Sequence, residues 1–201
     1  KGTKEKAFYK IFTNSKFTEE GLEKDKEKIL AKYTALGYRD AFFRGDSIVK
    51  HNEKTIDLYL NINEGTKYFI RNINWIGNTK YSTAALQELL NIKKGDIYNQ
   101  QRIEEGLYLS QSGRDISSLY MDDGYLFFSI NPVEVRIDGD SIDVEMRIYE
   151  GKQAVISNIS ISGNTKTNDK VILREIRTLP GQLFNRSDVI RTQRQLAQLG
   201  Y

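Results

Sequence analysis

A short text that occurs twice, 86 residues apart, constrains the fold of this chain more than any other feature. Gly-Asn-Thr-Lys stands at 77–80 and again at 163–166, and Glu-Gly stands at 64–65 and again at 150–151. Recurrence at a fixed offset, with glycine in the same places, indicates a duplicated structural unit. The sequence therefore predicts a tandem array of small domains, and arrays of this kind usually bind other molecules and do not catalyse reactions.

A second marker indicates where the units end. Gly-Tyr follows a helix-like segment at 37–38, 124–125 and 200–201. Three units are implied, each of about 85 residues when complete, a size that can fold alone. We predict that 1–64 is a unit without its first strand, that 65–150 is complete, and that 151–201 is truncated after its second helix.

The complete copy carries the periodicities of a strand, two helices and two further strands. Its first helix is predicted to start at Ser82, whose hydroxyl can accept a hydrogen bond from the first turn. Gly95, which can adopt a left-handed conformation, is predicted to end it. The second helix starts near Asn99, breaks at Gly113 and ends at Gly124. The predicted strands cover 68–75, 126–136 and 142–149, with a hairpin turn at 138–140.

The same spacing predicts which helix faces are buried and which elements the other units share. The predicted buried residues of the two helices are Leu86, Leu89, Leu90, Ile103, Leu107, Tyr108 and Leu119. The first unit is predicted to contain a helix remnant at 7–12, a helix at 18–36, and strands near 39–49 and 55–63. The third is predicted to contain a strand at 155–162 and helices at 168–177 and 186–199.

Each complete unit then has the order β-α-α-β-β. We expect an α+β fold in which every unit is a three-stranded mixed sheet with two helices packed on one face. The opposite face of the sheet and one long edge would remain open. Such an edge carries unpaired amides and carbonyls that can accept another strand.

Composition removes several kinds of active site. The chain has no cysteine, which excludes disulfides, thiolate zinc sites and cysteine nucleophiles. The only histidine, His51, lies in a polar stretch and is expected to be a solvated turn residue. Asp138 and Asp140 are not followed by further acidic ligands at the spacing of a calcium loop. No segment of the sequence matches the spacing of a known glycine-rich phosphate-binding loop. We predict no catalytic residue, no metal site and no cofactor.

A single-stranded RNA-binding module is one alternative. Residues 124–130 weakly resemble the aromatic strand of RNA-recognition motifs, on which bases can stack. However, Asp122 and Asp123 precede this segment, and the complete unit has a net charge of −4. Because attraction to phosphate dominates such binding, we expect no nucleic-acid partner. The last unit carries +5, which favours an anionic partner or a membrane surface unless the rest of that unit restores the balance.

In its landmarks the chain resembles the periplasmic POTRA repeats of BamA-type outer-membrane protein assembly factors. One landmark is a strand that ends in Gly-Asn, at 77–78 and 163–164, and another is the Gly-Tyr after each second helix. The third is a glycine followed by an aromatic residue before that helix: Gly95 with Tyr98, and Gly181 with Phe184. The resemblance covers essentially all 201 residues.

The resemblance implies a location and a set of partners. The chain would be the third, fourth and part of the fifth repeat of a five-repeat array, the fourth with an enlarged second helix. It would lie at the periplasmic face of the bacterial outer membrane, attached through a C-terminal barrel that this sequence does not contain. Its partners would be unfolded outer-membrane β-barrel precursors and accessory assembly lipoproteins, without ATP or a cofactor. A passive rigid spacer and lipoprotein platform with the same fold is the second alternative.

An exposed sheet edge is the predicted docking site. Pairing with an edge satisfies the backbone of an unfolded barrel strand without requiring one sequence, and several weak edges add avidity. In each adjacent phenylalanine pair we expect one ring in the core and one outside. The short linkers predict hinges at Gly65 and Gly151. The edge candidates are Arg39, Asp40, Ala41, Phe42, Phe43, Leu126, Phe127, Phe128, Ser129 and Ile130.

Overall fold

The computed structural model describes residues 17–110, 113–164 and 168–198. The predicted helix remnant at 7–12, part of the second Gly-Asn-Thr-Lys copy and the last Gly-Tyr pair lie outside these ranges. The described residues belong to two compact units. The first contains 17–70, 95–100 and 137–142, and the second contains the remainder. This division follows packing, so the three-unit division at 64/65 and 150/151 stays a prediction.

The helices and strands follow the predicted order, except that the third repeat lacks its predicted strand. The helices are α1 (Glu19–Ala35), α2 (Thr83–Leu90), α3 (Gln100–Glu104), α4 (Ile116–Asp122), α5 (Asp169–Glu175) and α6 (Arg186–Gln198). The strands are β1 (Phe42–Lys50), β2 (Ile56–Asn63), β3 (Phe69–Ile76), β4 (Ser129–Asp138) and β5 (Ser141–Tyr149). None of the helices in the described ranges is long and apolar enough to cross a membrane.

In the first compact unit, α1 precedes an antiparallel hairpin. The Thr18 hydroxyl accepts a hydrogen bond of 3.1 Å from the amide of Gly21 and so caps the helix. β1 pairs with β2 from Phe42 opposite Asn63 to Lys50 opposite Ile56, with a bulge between Phe43 and Gly45. β1 starts at Phe42, so the prediction that it starts at Arg39 is wrong. A turn after α1, closed by the amide of Ala41 and the carbonyl of Tyr38, delays the strand.

β3, β4 and β5 form a mixed three-stranded sheet in the order β3-β5-β4. The predicted hairpin turn is confirmed: Gly139 has φ +61° and joins β4 to β5. Alternate residues of β5 are fully buried, as a sheet with one covered face requires. They are Ile142, Val144 and Met146. β4 begins at Ser129 and not at Leu126, because a turn closed by the Phe128 amide and the Tyr125 carbonyl comes first.

The helices of the middle repeat confirm one predicted boundary and correct another. The Ser82 hydroxyl accepts from the amide of Ala85, which confirms the predicted cap of α2. The helix ends at Asn91, with φ +51°, and not at Gly95. Asparagine tolerates the left-handed conformation because its short polar side chain can bond locally. Gly95 has φ +88° in the turn that follows, where its amide donates to the carbonyl of Ile70.

The second helix of the middle repeat is interrupted, as predicted at Gly113. It consists of α3, a π-helical turn over Glu105–Leu109, and α4. Ile103 and Leu107 are buried as expected, but Tyr108 is exposed and Leu119 is half-buried. The π-helical turn changes the residue spacing, so the 3.6-residue period no longer predicts the buried face. Ile116 and Tyr120 occupy the core in place of the two mispredicted residues.

The third repeat forms its two helices but not the predicted strand. Asn168 caps α5 through a hydrogen bond from the amide of Lys170. Within 155–162, the only strand pairing is an isolated bridge between Val155 and Leu183. A strand is defined by a ladder with a neighbour, and the described part of this repeat supplies no second strand to extend it. The predicted α+β class is confirmed, with two small sheets of which the three-stranded one is mixed.

Candidate interaction edges and repeat junctions

The first predicted edge divides between a turn and a strand. Phe42 and Phe43 begin β1, whereas Arg39, Asp40 and Ala41 lie in the turn before it. Phe42 is 50% exposed, and Phe43 is half-buried with the Lys26 ammonium 6.0 Å from its ring centre. The Phe42 ring is therefore more exposed than the Phe43 ring, as expected for adjacent residues of a strand.

Two residues of that turn are engaged elsewhere. The guanidinium of Arg39 lies over the rings of Tyr68 and Tyr98, 5.6 and 5.8 Å from their centres. Asp40 accepts a hydrogen bond of 2.8 Å from the Tyr68 hydroxyl. These contacts join the end of the first repeat to the start of the second. The structure thus places Arg39 and Asp40 at a junction between repeats.

β1 is an open edge over most of its length. Among the residues that the structure describes, β2 is its only partner strand. All of its residues except Phe43 are exposed, and they include the apolar Ile48 and Val49. The bulge at Arg44 leaves a regular run from Gly45 to Lys50. An edge of this kind presents backbone amides and carbonyls that a further strand can pair with.

The second predicted edge is less uniform. Leu126 and Phe127 lie in the turn before β4, and only Ser129 and Ile130 belong to the strand. Phe127 is 68% exposed and Phe128 is 6% exposed, so the prediction of one ring in and one ring out is confirmed here. Phe128 stacks on the buried Tyr120 ring at a centroid distance of 4.1 Å. Its ring is therefore a core element.

Pro132, which the sequence-based prediction did not consider, lies two residues beyond this predicted edge. Pro132 lies within β4, which is one of the two outer strands of the β3-β5-β4 sheet. Proline has no amide hydrogen, and within sheets it is confined to edge strands with its nitrogen directed away from the neighbour. Pro132 therefore interrupts the outer ladder of β4 near its start. The signal was visible in the sequence as a proline within an otherwise strand-like run.

Each predicted hinge glycine follows a glutamate that is held in place. Gly65 and Gly151 have φ values of +71° and +70°, a conformation that favours glycine. The Glu64 carboxylate accepts a hydrogen bond of 3.0 Å from the Tyr33 hydroxyl. Both linkers thus start from an anchored residue, and the hinge role of the two glycines stays a prediction.

Glu150 is the more strongly held of the two glutamates. Its carboxylate accepts from the amide of Thr79 at 2.7 Å, the amide of Lys80 at 2.9 Å and the hydroxyl of Tyr120 at 2.9 Å. The Thr79 hydroxyl also donates to it. Burial raises the pKa of the Glu150 carboxyl, but these hydrogen bonds outweigh burial and leave the pKa below its ordinary value. Burial, reinforced by the carboxylate, raises the pKa of the Tyr120 phenol.

The duplication is also visible in the hydrogen bonds that join one repeat to the next. At the first junction the amide of Tyr68 donates to the carbonyl of Gly37 at 2.9 Å. At the second the amide of Ala154 donates to the carbonyl of Gly124 at 2.8 Å. Both acceptors are the glycines of the Gly-Tyr landmark. The landmark therefore marks a contact between repeats as well as the end of a helix.

A side-chain bond repeats in the same way. The Asn99 side chain donates to the carbonyl of Ala35 at 3.0 Å, and the Asn185 side chain donates to the carbonyl of Asp122 at 2.9 Å. The donors are 86 residues apart, as in the sequence repeat. Equivalent asparagines thus bond the equivalent end of the preceding helix.

The described residues contain no arrangement typical of a metal centre. In 17–110, 113–164 and 168–198, no three His, Asp or Glu side chains are placed to hold an ion. His51 is exposed and lies 3.0 Å from the Asp57 carboxylate, at the turn between β1 and β2. This is the solvated turn position that its sequence context predicts.

Tandem α+β repeats joined by equivalent junction bonds define a modular repeat protein. The family model described as "POTRA: Surface antigen variable number repeat" matches residues 2–65, 68–151 and 154–201. The chain therefore belongs to the POTRA family. The resemblance to POTRA repeats of BamA-type assembly factors is confirmed.

Two relatives illustrate the similarity of this chain to outer-membrane assembly factors. The chain is 28% identical over 198 residues to a putative outer membrane protein assembly factor of Treponema pallidum, covering 96% of the chain and 23% of that protein. It is 26% identical over 192 residues to outer membrane protein assembly factor BamA of Neisseria meningitidis, covering 94% and 23%. The chain thus spans about a quarter of the length of these relatives.

The fold is similar to that of a solved array of three repeats. The crystal structure of Haemophilus influenzae BamA POTRA3-5 matches with a TM-score of 0.66 and 24% identity. The match covers 94% of this chain and 73% of that one. This similarity supports the repeat architecture that the sequence predicts.

Proposed function

We propose that this chain is the periplasmic part of an outer-membrane protein assembly factor and binds unfolded β-barrel precursors by strand pairing at β1. The observation that carries the proposal is the one-sided pairing of β1, whose only partner strand in the described residues is β2. The relatives named above supply the class of process, because they are assembly factors of the outer membrane. No enzymatic step is part of this function.

The chemistry of an open edge suits this kind of client. A precursor strand that has not yet joined its barrel has unpaired backbone groups on both sides, and pairing with β1 satisfies one side. Each backbone hydrogen bond contributes only about 0.5–1.5 kcal/mol net, so one short edge binds weakly and reversibly. Recognition through the backbone also tolerates many sequences, as a factor with many clients requires.

Side chains around β1 favour apolar residues in the client strand. Ile48 and Val49 are both exposed next to the edge, on opposite faces of the hairpin. Val49 lies opposite Asp57 in the register, and Ile48 lies opposite Leu58. Barrel strands alternate lipid-facing apolar residues with lumen-facing polar ones. The apolar side chains of the client strand can therefore pack beside Ile48 or Val49, while its polar side chains remain in water.

The proposal includes lipoprotein docking and attachment to the outer membrane through a barrel outside this sequence. A rigid platform is the second candidate function, and the hydrogen-bonded junctions favour it. An RNA-binding sheet is disfavoured, because Phe128 is in the core and Leu126 and Phe127 lie in a turn.

The test uses adjacent proline variants of β1. Successive amides of an edge strand point alternately to the neighbouring strand and to solvent. Of Ser47→Pro and Ile48→Pro, one therefore removes an outward amide and the other breaks a bond to β2. Circular dichroism and thermal melting identify the variant that keeps the fold, and Glu53→Pro in the β1–β2 turn is the matched control.

The probe is a fluorescein-labelled twelve-residue peptide of alternating valine and threonine, followed by fluorescence anisotropy. An N-methylated version of the same peptide, which cannot pair through its backbone, is the second control. We expect the well-folded β1 variant to lose peptide binding, Glu53→Pro to retain it, and the N-methylated peptide not to bind. Unchanged binding in the well-folded β1 variant would contradict docking at β1.

A further inference from the structure

The start of α6 is capped by a residue of the preceding repeat. The amide of Ser187, in the first turn of α6, donates to one oxygen of the Asp122 carboxylate at 2.7 Å. The Ser187 hydroxyl donates to the other oxygen at 2.6 Å. Asp122 is the last residue of α4. An acidic side chain at this position satisfies unpaired amides of a helix N-terminus and interacts favourably with its dipole.

Further contacts surround this cap. The guanidinium of Arg186 donates to the Ser118 hydroxyl at 2.9 Å, and the Gln153 side chain donates to the Asp123 carbonyl at 2.8 Å. The side chain of Leu183 lies close enough to Gly124 that an added Cβ there would be in tight contact. These contacts join residues on the two sides of the linker glycine; the bonds of Arg186 and Ser187 are partly buried, and that of Gln153 is exposed.

The first junction has the shared bonds but not this cap. Asn99 and Asn185 are equivalent donors, so their acceptor residues Ala35 and Asp122 are equivalent positions. Alanine has no side-chain acceptor, so it cannot cap the next helix as Asp122 does. The second junction therefore contains a charged contact that the first junction does not have in the same place.

We propose that Asp122 fixes the third repeat on the second, so that Gly151 is a fixed turn and not a hinge. Rotation about Gly151 would pull Ser187 away from the carboxylate and leave the Ser187 amide and hydroxyl without their acceptor. The packing supports this: residues 143–164 belong continuously to one compact unit, so no unit boundary falls at Gly151. The inference does not depend on the proposed client binding.

Because this chain has no cysteine, spin labels attach only at cysteines that are introduced for the test. Spin labels are attached to cysteines introduced at Glu88 on α2 and Arg194 on α6, both exposed and both in the second compact unit. Pulsed electron paramagnetic resonance then gives the distribution of distances between the labels. We expect one narrow peak in the parent chain and the loss of that peak in Asp122→Ala.

Asp188→Ala is the matched control, because it removes an acid from the same turn of α6. Among the residues that the structure describes, its carboxylate contacts only Arg191, at 3.8 Å on the surface. The narrow peak should persist in this variant. A broad distribution in the parent chain, or an unchanged narrow peak in Asp122→Ala, would overturn the proposal.

A second measurement covers the case in which Asp122→Ala disturbs folding. Ser187→Ala removes the hydroxyl bond but keeps the amide bond to Asp122, so it is the milder change. Amide hydrogen exchange by nuclear magnetic resonance should show lost protection in the first turn of α6 in Asp122→Ala and a smaller loss in Ser187→Ala. Amides of α2 and β5 should stay protected in both. Retained protection in the first turn of α6 in both variants would refute the role of Asp122.

Discussion

The Tyr120 hydroxyl donates a hydrogen bond of 2.9 Å to the Glu150 carboxylate. The same pair occurs one repeat earlier, where the Tyr33 hydroxyl donates to Glu64 at 3.0 Å. Both tyrosines lie four residues before the glycine of a Gly-Tyr landmark, and both glutamates precede a linker glycine. A bond between the second helix and the end of the last strand is therefore part of the repeated unit.

Removal of the Tyr120 hydroxyl should destabilise the second compact unit. Tyr120 is fully buried, and a hydrogen bond to a charged acceptor is worth about 1.5–3 kcal/mol. Because Glu150 keeps its bonds from Thr79 and Lys80, we expect Tyr120→Phe to lower the free energy of unfolding by about 1.5 kcal/mol. Urea unfolding followed by the fluorescence of Trp75, the only tryptophan, measures this change.

Tyr125→Phe is the matched control for that variant. Tyr125 packs edge-to-face on Tyr120, with ring centres 5.8 Å apart, and its hydroxyl makes no hydrogen bond to another described residue. We expect its removal to change the free energy of unfolding by less than about 0.5 kcal/mol. Equal losses in the two variants would contradict a specific role for the bond to Glu150.

Glu150 should also contribute to the stability of the protein in acid. Hydrogen bonds hold the pKa of the folded carboxyl below its ordinary value of 4.5. As the pH falls, the unfolded chain therefore takes up this proton first, and the free energy of unfolding decreases until the pH is below the folded pKa. The contribution is complete above the ordinary pKa of a glutamate.

Glu150→Gln should flatten this part of the pH dependence. The variant has no titratable group at this position, so the free energy of unfolding should fall less between about pH 5 and pH 3 than in the parent chain. Urea unfolding at several pH values measures the slope. Glu88→Gln, an exposed change on α2, should leave the slope as it is. An identical acid dependence in the parent and Glu150→Gln would disprove the linkage.

The repeat, one helix cap and most element positions could be predicted from the sequence, because these depend on local spacing. The hydroxyl cap at Ser82 and the break at Gly113 are examples. It placed the end of α2 at Gly95, because it did not weigh the left-handed conformation of Asn91.

The candidate site was harder to predict, because it depends on contacts between distant residues. Arg39 was expected on a sheet edge, yet Tyr68 and Tyr98, far along the chain, draw it into a junction. Asp122 was noticed only as a negative charge, because its partner Ser187 lies 65 residues away. Spacing within one segment carries no information on either contact.

The glycine of Gly-Asn-Thr-Lys should be required for a steric reason in one copy and not in the other. Gly77 has φ +90°, and a Cβ there would overlap the carbonyl oxygen of Ile148. Gly163 has φ +86°, but no atom of the described residues lies within 4 Å of its Cβ position. Gly77→Ala therefore adds a clash with rigid backbone to the conformational cost, whereas Gly163→Ala adds only the conformational cost.

We expect Gly163→Ala to lower the free energy of unfolding by about 1–2 kcal/mol, the cost of a left-handed alanine. Gly77→Ala should lower it by more than about 3 kcal/mol, because the backbone of β5 must also move. The Trp75 transition in urea reports both variants. Equal effects would mean that the close approach to Ile148 is relieved without cost.

Arg71 and Asp143 should stabilise the β3–β5 pairing through a two-bond contact. The Arg71 side chain donates to both carboxylate oxygens, at 2.8 and 2.6 Å, and the pair is partly buried. The hydrogen bonds from Arg71 hold the pKa of the Asp143 carboxyl below its ordinary value. Lysine cannot reproduce the planar fork, so Arg71→Lys should lower the free energy of unfolding by about 1 kcal/mol.

The control for this pair is Arg147→Lys. Arg147 contacts Glu145 on the same strand and is mostly exposed, so its replacement should cost less than about 0.5 kcal/mol. Urea unfolding at low and high salt measures both. A similar small effect in both variants would show that the cross-strand contact adds no more than a surface ion pair.

Replacement of Pro132 should open a second docking edge if client strands pair with sheet edges. Pro132 lacks the amide that an outer ladder on β4 needs, and valine restores it without disturbing the strand. Pro132→Val should therefore bind the valine–threonine peptide more tightly than the parent chain, and a photo-crosslinker at Val135 should capture it. The N-methylated peptide should show no gain. Peptide affinity equal to that of the parent chain would mean that Pro132 does not limit pairing at β4. This outcome would not bear on β1, which is unchanged in the variant and is tested by its own proline variants.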